Sequence, residues 1–331
     1  MNVKLTVIMS TYNQAAYVRE AIDSVLAQKT TFPFQLIITD DFSTKDNTVE
    51  IIKGYQSAHP DKIKLILNQE NGRYLKNILS AKKITKTPYF TLLDADDYWT
   101  DENYLQKAIS YLDRHPNHTV YTTNIMVERE DGTTSPYLHT SVTEKDFTME
   151  DFLRGTALVP QTTGMVFRNV VYNRGIPEII ENAINTPAER SFEGDYDRYM
   201  MHIEKGRAHF VNEISGVYRL LSAGIWAGMS TFEQNAIQAR TFIDWNTYLG
   251  GKYKDELFML ARKRLSLCLD NIETDLSRGG RQYSKESQNA FFYTIASLHE
   301  HGYRPLPKKK KITEFLYLKL YKLARRKLLK I

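Results

Sequence analysis

The sequence predicts an α/β protein, a mostly parallel sheet with helices on both faces, followed by a C-terminal helical appendage. Three observations carry this. In the first hundred residues short apolar runs alternate with helical repeats in the order β-α-β-α-β-α-β, which calls for parallel strands joined by covering helices. Polar clusters fall at the ends of three of those strands, where ligands sit in sheets of this kind. From residue 232 to about 301 the apolar spacing is helical throughout.

Taken in order, residues 5–9 are an apolar run ending in Ser10-Thr11-Tyr12-Asn13, a buried strand followed by a polar loop. Val18, Ala21, Ile22, Val25 and Leu26 then recur at helical spacing. A second strand, 34–39, stops at Asp40-Asp41-Phe42-Ser43, and Asp46 or Thr48 is placed to cap the helix bearing Val49, Ile51, Ile52 and Tyr55. Strand 63–67 is followed by a helix through Ile78 and Leu79. The fourth strand, 89–93, breaks into Asp94-Ala95-Asp96-Asp97. Beyond it the pattern predicts a helix over 104–112, a strand over 120–130 with Asp131-Gly132 as a hairpin turn, and a short helix over 147–153 stopping at Gly155. A strand over 162–167 follows, in which Gly164 marks a close backbone approach. A helix over 195–204 and short strands at 208–211 and 215–219 complete the sheet region.

Composition bounds the function. The chain has 331 residues, 42% hydrophobic and 25% charged, enough for a large globular domain with an appendage. Cys268 is the single cysteine, which excludes an internal disulfide or a cysteine-rich zinc site and fits a reducing cytosol. No apolar run reaches membrane-span length, and the first twelve residues enter a strand-like pattern at once, so neither a spanning helix nor a signal peptide is expected. The net charge of +5 hides an asymmetry: residues 308–331 carry ten Lys/Arg against Glu314 alone, leaving the rest of the chain at −4.

The acids after the fourth strand define the chemistry. Along an extended chain side chains at i and i+2 share a face, so Asp94 and Asp96 point the same way. Two carboxylates held together repel unless a cation or proton lies between them, and a hard divalent ion joins such acids to phosphates. A solvated acidic turn before a helix is the plainer alternative. The coincidence of three polar clusters at one sheet edge favours the site.

The pieces Val7-Ile8-Met9-Ser10-Thr11-Tyr12-Asn13, Ile38-Thr39-Asp40-Asp41-Phe42-Ser43, Asp94-Ala95-Asp96-Asp97, Glu193-Gly194-Asp195-Tyr196-Asp197 and Gly216-Val217-Tyr218-Arg219 resemble, in the expected order, the motifs of family-2 glycosyltransferases with the Rossmann-like GT-A fold. The resemblance covers roughly the first 230 residues. With the helical run from 232 and the stiff Pro305-Leu306-Pro307 linker, this gives domains of 1–230 (transferase), 231–304 (helical appendage) and 305–331 (linker and basic amphipathic helix). The resemblance also implies metal-dependent, inverting transfer of a hexosyl or N-acetylhexosaminyl group from a nucleotide-diphosphate donor, a UDP-sugar, to a glycan, lipid-linked or protein-linked acceptor in bacterial polysaccharide or glycoconjugate synthesis. By the same resemblance Thr11, Tyr12 and Asn13 line the nucleoside pocket, with Asp40 or Asp41 reading base and ribose. Asp94 and Asp96, around Ala95, hold the diphosphate through Mn²⁺ or Mg²⁺, and Asp97 extends that cluster. Asp195 is the general base, and Arg219 and Trp226 belong to the segment closing over donor and acceptor.

The sequence departs from the family at three places. Gly194 stands where an acid usually precedes the base, Leu221 where a histidine often follows the Tyr-Arg pair, and Phe42 where glycine is usual. The second leaves the metal mainly to the carboxylates. Taken singly, Asp195 also reads as a helix N-terminal acid, Arg219 as an ion-pair partner and Trp226 as packing. The tail 308–331 forms an imperfect basic amphipathic helix, suited either to an anionic membrane at the inner face of the cell or to packing on the protein. No nucleic-acid-binding module is recognisable. A non-catalytic subunit of the same fold, stabilising a partner enzyme, is the rival reading.

Overall fold

The computed structural model describes residues 2–222, 226, 228–277 (271–277 by backbone alone) and 283–303. The tail 308–331 lies outside the described residues. The chain divides into two compact units, Met1–Glu181 with Glu193–Ser222, and Asn182–Phe192 with Ala223–Ile331. The sequence placed its boundary at 230; the division falls nearer 222 and adds 182–192 to the helical unit.

The first unit is built on one ten-stranded sheet. Its elements begin β1 (Leu5–Thr11), α1 (Val18–Leu26), β2 (Phe34–Asp40), α2 (Thr48–Ala58), β3 (Ile63–Leu67), α3 (Arg73–Ile84) and β4 (Tyr89–Leu92), the alternation expected. They continue with β5 (Tyr98–Trp99), α4 (Tyr104–Arg114), β6 (His118–Arg129), β7 (Thr134–Pro136), β8 (Glu144–Phe147), α5 (Met149–Leu153), β9 (Met165–Arg168), α6 (Glu178–Ala183), α7 (Asp195–Ile203) and β10 (Arg207–Leu220). The strand order is β3-β2-β1-β4-β9-β6-β10-β5, with β7 on β6 and β8 on β10. β1, β2, β3 and β4 are all parallel. β9 runs antiparallel between β4 and β6, and β6 and β10 are again parallel, so the far half is mixed.

Alternation along the strands sorts side chains between two helical layers. Leu5, Val7 and Met9 of β1 and Leu36 and Ile38 of β2 share one core with Val18, Ala21, Ile22 and Val25 of α1, Ile51 and Ile52 of α2, and Leu105, Ile109 and Leu112 of α4. Ile8 and Ile37 face the other way and are equally buried, on the side that α3 covers with Leu75, Ile78 and Leu79.

Two sequence expectations are met at backbone level. Gly132 has φ +79° in the β6–β7 turn, a conformation that favours glycine. A Cβ on Gly164 would lie 2.7 Å from the Thr123 carbonyl oxygen, the close approach expected, but Gly164 ends a 3-10 turn over Thr162–Gly164 and the strand expected from 162 begins only at Met165. The strands expected at 208–211 and 215–219 are one element: β10 carries register shifts around Ile214, so a bulged strand reads in sequence as two. β5, β7 and β8 are two to four residues long, too short to show a period.

The helical unit comprises α8 (Thr231–Tyr248), α9 (Lys254–Ser277) and α10 (Lys285–Glu300). Ser230 and Glu233 form a reciprocal cap at the start of α8. Phe232, Ala236, Ile243, Phe258, Leu265, Cys268, Phe291 and Ile295 make its core. The segment 182–192 belongs here because Ser191 Oγ donates to Asp244 Oδ2 at 2.8 Å and the buried Trp245 indole N–H donates to the Ser191 carbonyl at 2.9 Å.

Candidate active site

Parallel pairing brings the three polar clusters to one edge of the sheet. Thr11 pairs directly with Asp40, and β4 lies on the other side of β1 in register Leu5–Tyr89 to Ile8–Leu92. The chain beyond β4 keeps to β1 for three more residues: Leu93 N–H donates to the Ile8 carbonyl and Ala95 N–H to that of Ser10. Ala95 is buried and joins the apolar core, while Asp94 and Asp96 are partly accessible on the opposite face. The motif is not extended, as the i, i+2 reading assumed: β4 ends at Leu92 and Asp97 N–H donates to the Asp94 carbonyl at 3.0 Å, so a turn rather than strand alternation sets Asp94 and Asp96 near one another.

The two acid clusters are treated differently by their surroundings. Asp40 is almost wholly buried; Thr11 Oγ1 donates to its Oδ1 at 3.0 Å, Ser43 Oγ to the same atom at 2.5 Å, and Ser43 N–H to Oδ2 at 2.8 Å. Asp41 Oδ1 accepts from Gly72 N–H at 2.7 Å. Burial raises the Asp41 carboxyl, against the backbone N–H groups of Gly72 and Arg73. Asn13, at φ +52°, accepts on Oδ1 from the N–H groups of Thr44 and Lys45 at 3.2 and 3.0 Å. This loop pair is a self-bonded cradle, and it leaves Tyr12 and Phe42 exposed on adjacent strand ends.

Asp94 is less well served. Ser10 Oγ and Tyr74 OH both reach its Oδ1, at 3.2 and 3.3 Å, and among the described residues none donates to Oδ2. Burial, with Asp96 beside it, pushes its carboxyl up to about 7. Burial raises Asp96 as well. Asp97 turns inward instead: fully buried, it accepts from Thr163 Oγ1 at 2.7 Å, Gln161 Nε2 at 3.2 Å and Arg219 N–H at 3.0 Å. It fastens the motif to β10 rather than extending the partly accessible acid pair. A cation suits what remains: two half-accessible carboxylates, all-oxygen donors, raised by burial and mutual repulsion, fit Mg²⁺ or Mn²⁺.

Asp195 is the first residue of α7 and 27% exposed at its side chain. Thr162 Oγ1 donates to Asp195 Oδ1, as does Arg198 Nη2 at 2.9 Å, and among the described residues no donor reaches Oδ2. Asp195 and Arg198 are both near enough to act on the ionisation of Asp94, the guanidinium lowering its carboxyl and the carboxylate raising it. Arg198 is 2% exposed and also donates to Thr162 Oγ1 at 2.6 Å and the Glu193 carbonyl at 2.8 Å. Burial opposes its charge, but Tyr74, Asp195, Asp197 and Asp94 outweigh burial and hold it protonated. Gly194, the residue before Asp195, leaves little room: a Cβ there would stand 3.1 Å from Asp197 Oδ1, which would have to give by a few tenths of an ångström.

Arg219 is fully engaged. Its Nη1 donates to the Asp96 carbonyl at 2.8 Å, its Nη2 meets Glu20 at 2.6 Å, its Nε meets Glu128 at 3.3 Å, and its guanidinium lies over the Tyr98 ring. It is placed to fix the backbone of the acid motif. Trp226 belongs to the helical unit, 45% exposed, with its carbonyl accepting from Gln234 Nε2 at 3.1 Å. Arg198 and Tyr74 were not anticipated. Arg198 stands three residues after Asp195 on one helix face, a spacing that was readable; Tyr74 reaches Asp94 only through the packing of α3.

Residues 6–178 match the family model "Glycosyl transferase family 2". Uncharacterized protein Rv1520 of Mycobacterium tuberculosis is 32% identical over 222 residues, 67% of this chain and 60% of that protein, so the chain spans three-fifths of the length of this relative. The putative glycosyltransferase EpsE of Bacillus subtilis is 33% identical over 141 residues, 43% of this chain and 50% of that one. Among solved structures, S. aureus TarS in complex with UDP-GlcNAc superposes with a TM-score of 0.63 at 16% identity, covering 99% of this chain and 92% of that one. A mannosyltransferase of Pyrobaculum calidifontis in complex with GDP-Man and Mn²⁺ gives 0.51 at 16% identity, covering 98% and 83%. These structural likenesses carry the fold; the sequence match carries the family. The chain belongs to glycosyl transferase family 2.

Proposed function

We propose that this protein transfers a sugar from a UDP-sugar donor, with inversion, to a hydroxyl of a glycan, lipid-linked or protein-linked acceptor. One observation supports it above the others: a partly exposed carboxylate, Asp195, is held by Thr162 and Arg198 beside the raised, under-bonded acid pair Asp94 and Asp96. TarS binds UDP-GlcNAc and the Pyrobaculum enzyme GDP-Man with Mn²⁺, which supports a nucleotide-sugar donor here.

Asp94 and Asp96 would hold the Mn²⁺ or Mg²⁺, which when bound neutralises the charge that develops on the leaving diphosphate. Thr11, Tyr12, Asn13 and Asp41 position the nucleoside; Asp40 holds the loops that present them. Asp195 takes the proton of the attacking hydroxyl on Oδ2, while Arg198 and Thr162 keep Oδ1 fixed. Arg219 keeps the acid motif in place. A single displacement needs base and diphosphate on opposite faces of the sugar, which suits a base from α7 and a diphosphate site from the β4 loop. We place the reaction in the cytoplasm, with the +9 charge of residues 308–331 as the contact to the anionic inner face of the membrane.

The test is a thermal-shift screen of nucleotide sugars with and without Mn²⁺, followed by transfer or donor hydrolysis with the best ligand, since ligands that bind the folded state stabilise it. A UDP-sugar shift that grows with Mn²⁺ is expected. Asp195→Asn should keep that shift and lose activity by about 10²–10⁴-fold, the range for a general base. Full activity in Asp195→Asn would remove Asp195 as the base, whereas equal indifference to every nucleotide sugar, with no transfer by the wild type, would support the non-catalytic subunit instead.

A further inference from the structure

A second polar cluster lies at the opposite end of the strands. β6 runs in the same direction as β4, since both pair antiparallel with β9, and His118 is its first residue. Tyr89 of β4 stands level with that end, five residues before Asp94, or about 17 Å along the sheet at the usual strand rise. Here three elements converge. Asp146 of β8 pairs directly with His209 of β10, and β10 pairs with the start of β6 at His118. His118 Nε2 lies 3.0 Å from Asp146 Oδ2, and His209 Nδ1 lies 2.7 Å from Asp146 Oδ1. Donor atoms of the three residues all fall within 4.8 Å of one another. Both histidines are buried, 7% and 4% exposed, while Asp146 opens to solvent.

We propose that His118, Asp146 and His209 form a second metal site, distinct from the acid motif, that takes a borderline divalent ion of the Zn²⁺ class. Two imidazoles with one carboxylate suit Zn²⁺, Co²⁺, Ni²⁺ or Cu²⁺, whereas the oxygen-only Asp94–Asp96 pair suits Mg²⁺ or Mn²⁺. Tetrahedral bonds of about 2.0–2.1 Å put ligand atoms about 3.3 Å apart; the histidines now sit 2.7 and 3.0 Å from the two different oxygens of Asp146, so the carboxylate turns to present one oxygen to an ion held between the rings, within the 4.8 Å span of the three donor atoms. The rings are already oriented. Tyr111 stacks on His209 with centroids 3.7 Å apart and planes 13° from parallel, and meets His118 edge-on at 5.3 Å. The far nitrogen of His209, Nε2, lies 3.1 Å from Glu144 Oε1, the carboxylate partner that fixes the tautomer of metal-bound histidines. Three protein ligands leave a fourth position to water from the open Asp146 side. The ion would fasten β8, an exposed strand paired on one side only, to β6 and β10.

The experiment uses the full chain, stripped of metal with a chelator and titrated with Zn²⁺ alone by calorimetry, with equilibrium dialysis for stoichiometry. The wild type and the Asp94→Asn/Asp96→Asn double variant should each bind one Zn²⁺ tightly. Asp146→Asn, nearly isosteric and partly exposed, should weaken that binding by at least about 100-fold, and Glu144→Gln by about 10-fold. His118→Gln supplies a second ligand deletion, and the metal-free Tm of each variant shows whether it is folded. Cobalt(II) in place of zinc should give the visible absorption of a four-coordinate nitrogen–oxygen site in wild type and lose it in Asp146→Asn. Zn²⁺ binding that disappears in the Asp94→Asn/Asp96→Asn variant overturns the proposal. So does wild-type affinity in both Asp146→Asn and His118→Gln, or a wild type that binds less than one equivalent.

Discussion

Asp40 and Asp94 both stand at the carboxyl ends of buried strands that flank β1, and yet they do opposite things. Asp40 receives three hydrogen bonds, from Thr11 and twice from Ser43, and spends its charge holding two loops together. Asp94 receives two long ones on a single oxygen, faces Asp96, and is pushed up to about 7 by burial. A buried carboxylate whose lone pairs are filled by its own chain is part of the scaffold. One left short, next to another acid, is a site for something the protein does not itself provide. Asp97, with three internal donors, falls on the scaffold side despite belonging to the same motif.

Substitution separates the two acids. The largest effect is expected for Asp94→Asn with Asp96→Asn: transfer falls on the order of 10³-fold, the several kcal/mol a phosphate-bound metal supplies, and the Mn²⁺-dependent thermal shift is lost while the fold persists. Circular dichroism and thermal melts alongside the activity assay check this, and a variant that unfolds would put Asp94 with the scaffold. Asp40→Asn should do the reverse. Asparagine offers one acceptor oxygen where three donors converge, so stability falls by about 1–3 kcal/mol in urea titrations while kcat changes less than in the double variant.

The third prediction is a pH dependence. The folded Asp94 carboxyl keeps its proton to about 7, whereas in the unfolded chain it ionises near 3.8. Between those values folding takes up a proton, so the contribution of Asp94 to metal-free stability is lost as pH rises through that window. Asp94→Asn cannot ionise; its Tm relative to wild type should therefore climb from pH 4 to pH 8, and added Mn²⁺ should raise the wild type alone. Comparing the two proteins at each pH cancels the opposite effect of buried His202, which burial lowers to about 3. The smallest effect belongs to Glu20→Gln. Glu20 is 54% exposed, so its bond to Arg219 contributes under about 1 kcal/mol, and double-mutant melts should show the Asp96 carbonyl and Glu128 still holding the arginine.

Much of the fold was legible. Strand-and-helix alternation through β4, the Asp131-Gly132 hairpin and the helical run after 231 all follow from side-chain period and glycine placement, whereas the 3-10 turn at Thr162–Gly164 reads in sequence as the start of β9. The short strands β5, β7 and β8 were not, because two to four residues show no period and their pairing is set by neighbours. β10 was read as two strands because its bulge interrupts the alternation on which the reading depends.

By itself, then, the sequence determined which residue types stand at which strand ends: apolar runs must be buried, and parallel strands align their carboxyl ends. It also carried Arg198 one turn from Asp195. Only the tertiary structure decided which acids are spent. That depends on donors far along the chain: Gly72 for Asp41, Thr163 and the backbone of Arg219 for Asp97, and Glu20 for Arg219 itself across 199 positions. The histidines at the other sheet edge make the same point. His118, Asp146 and His209 are spread over ninety residues with no ligand spacing to read, and strand register alone puts them together. Hydrogen-bond satisfaction and ligand convergence are properties of neighbours in space, and a linear pattern records neighbours only within a turn or a strand.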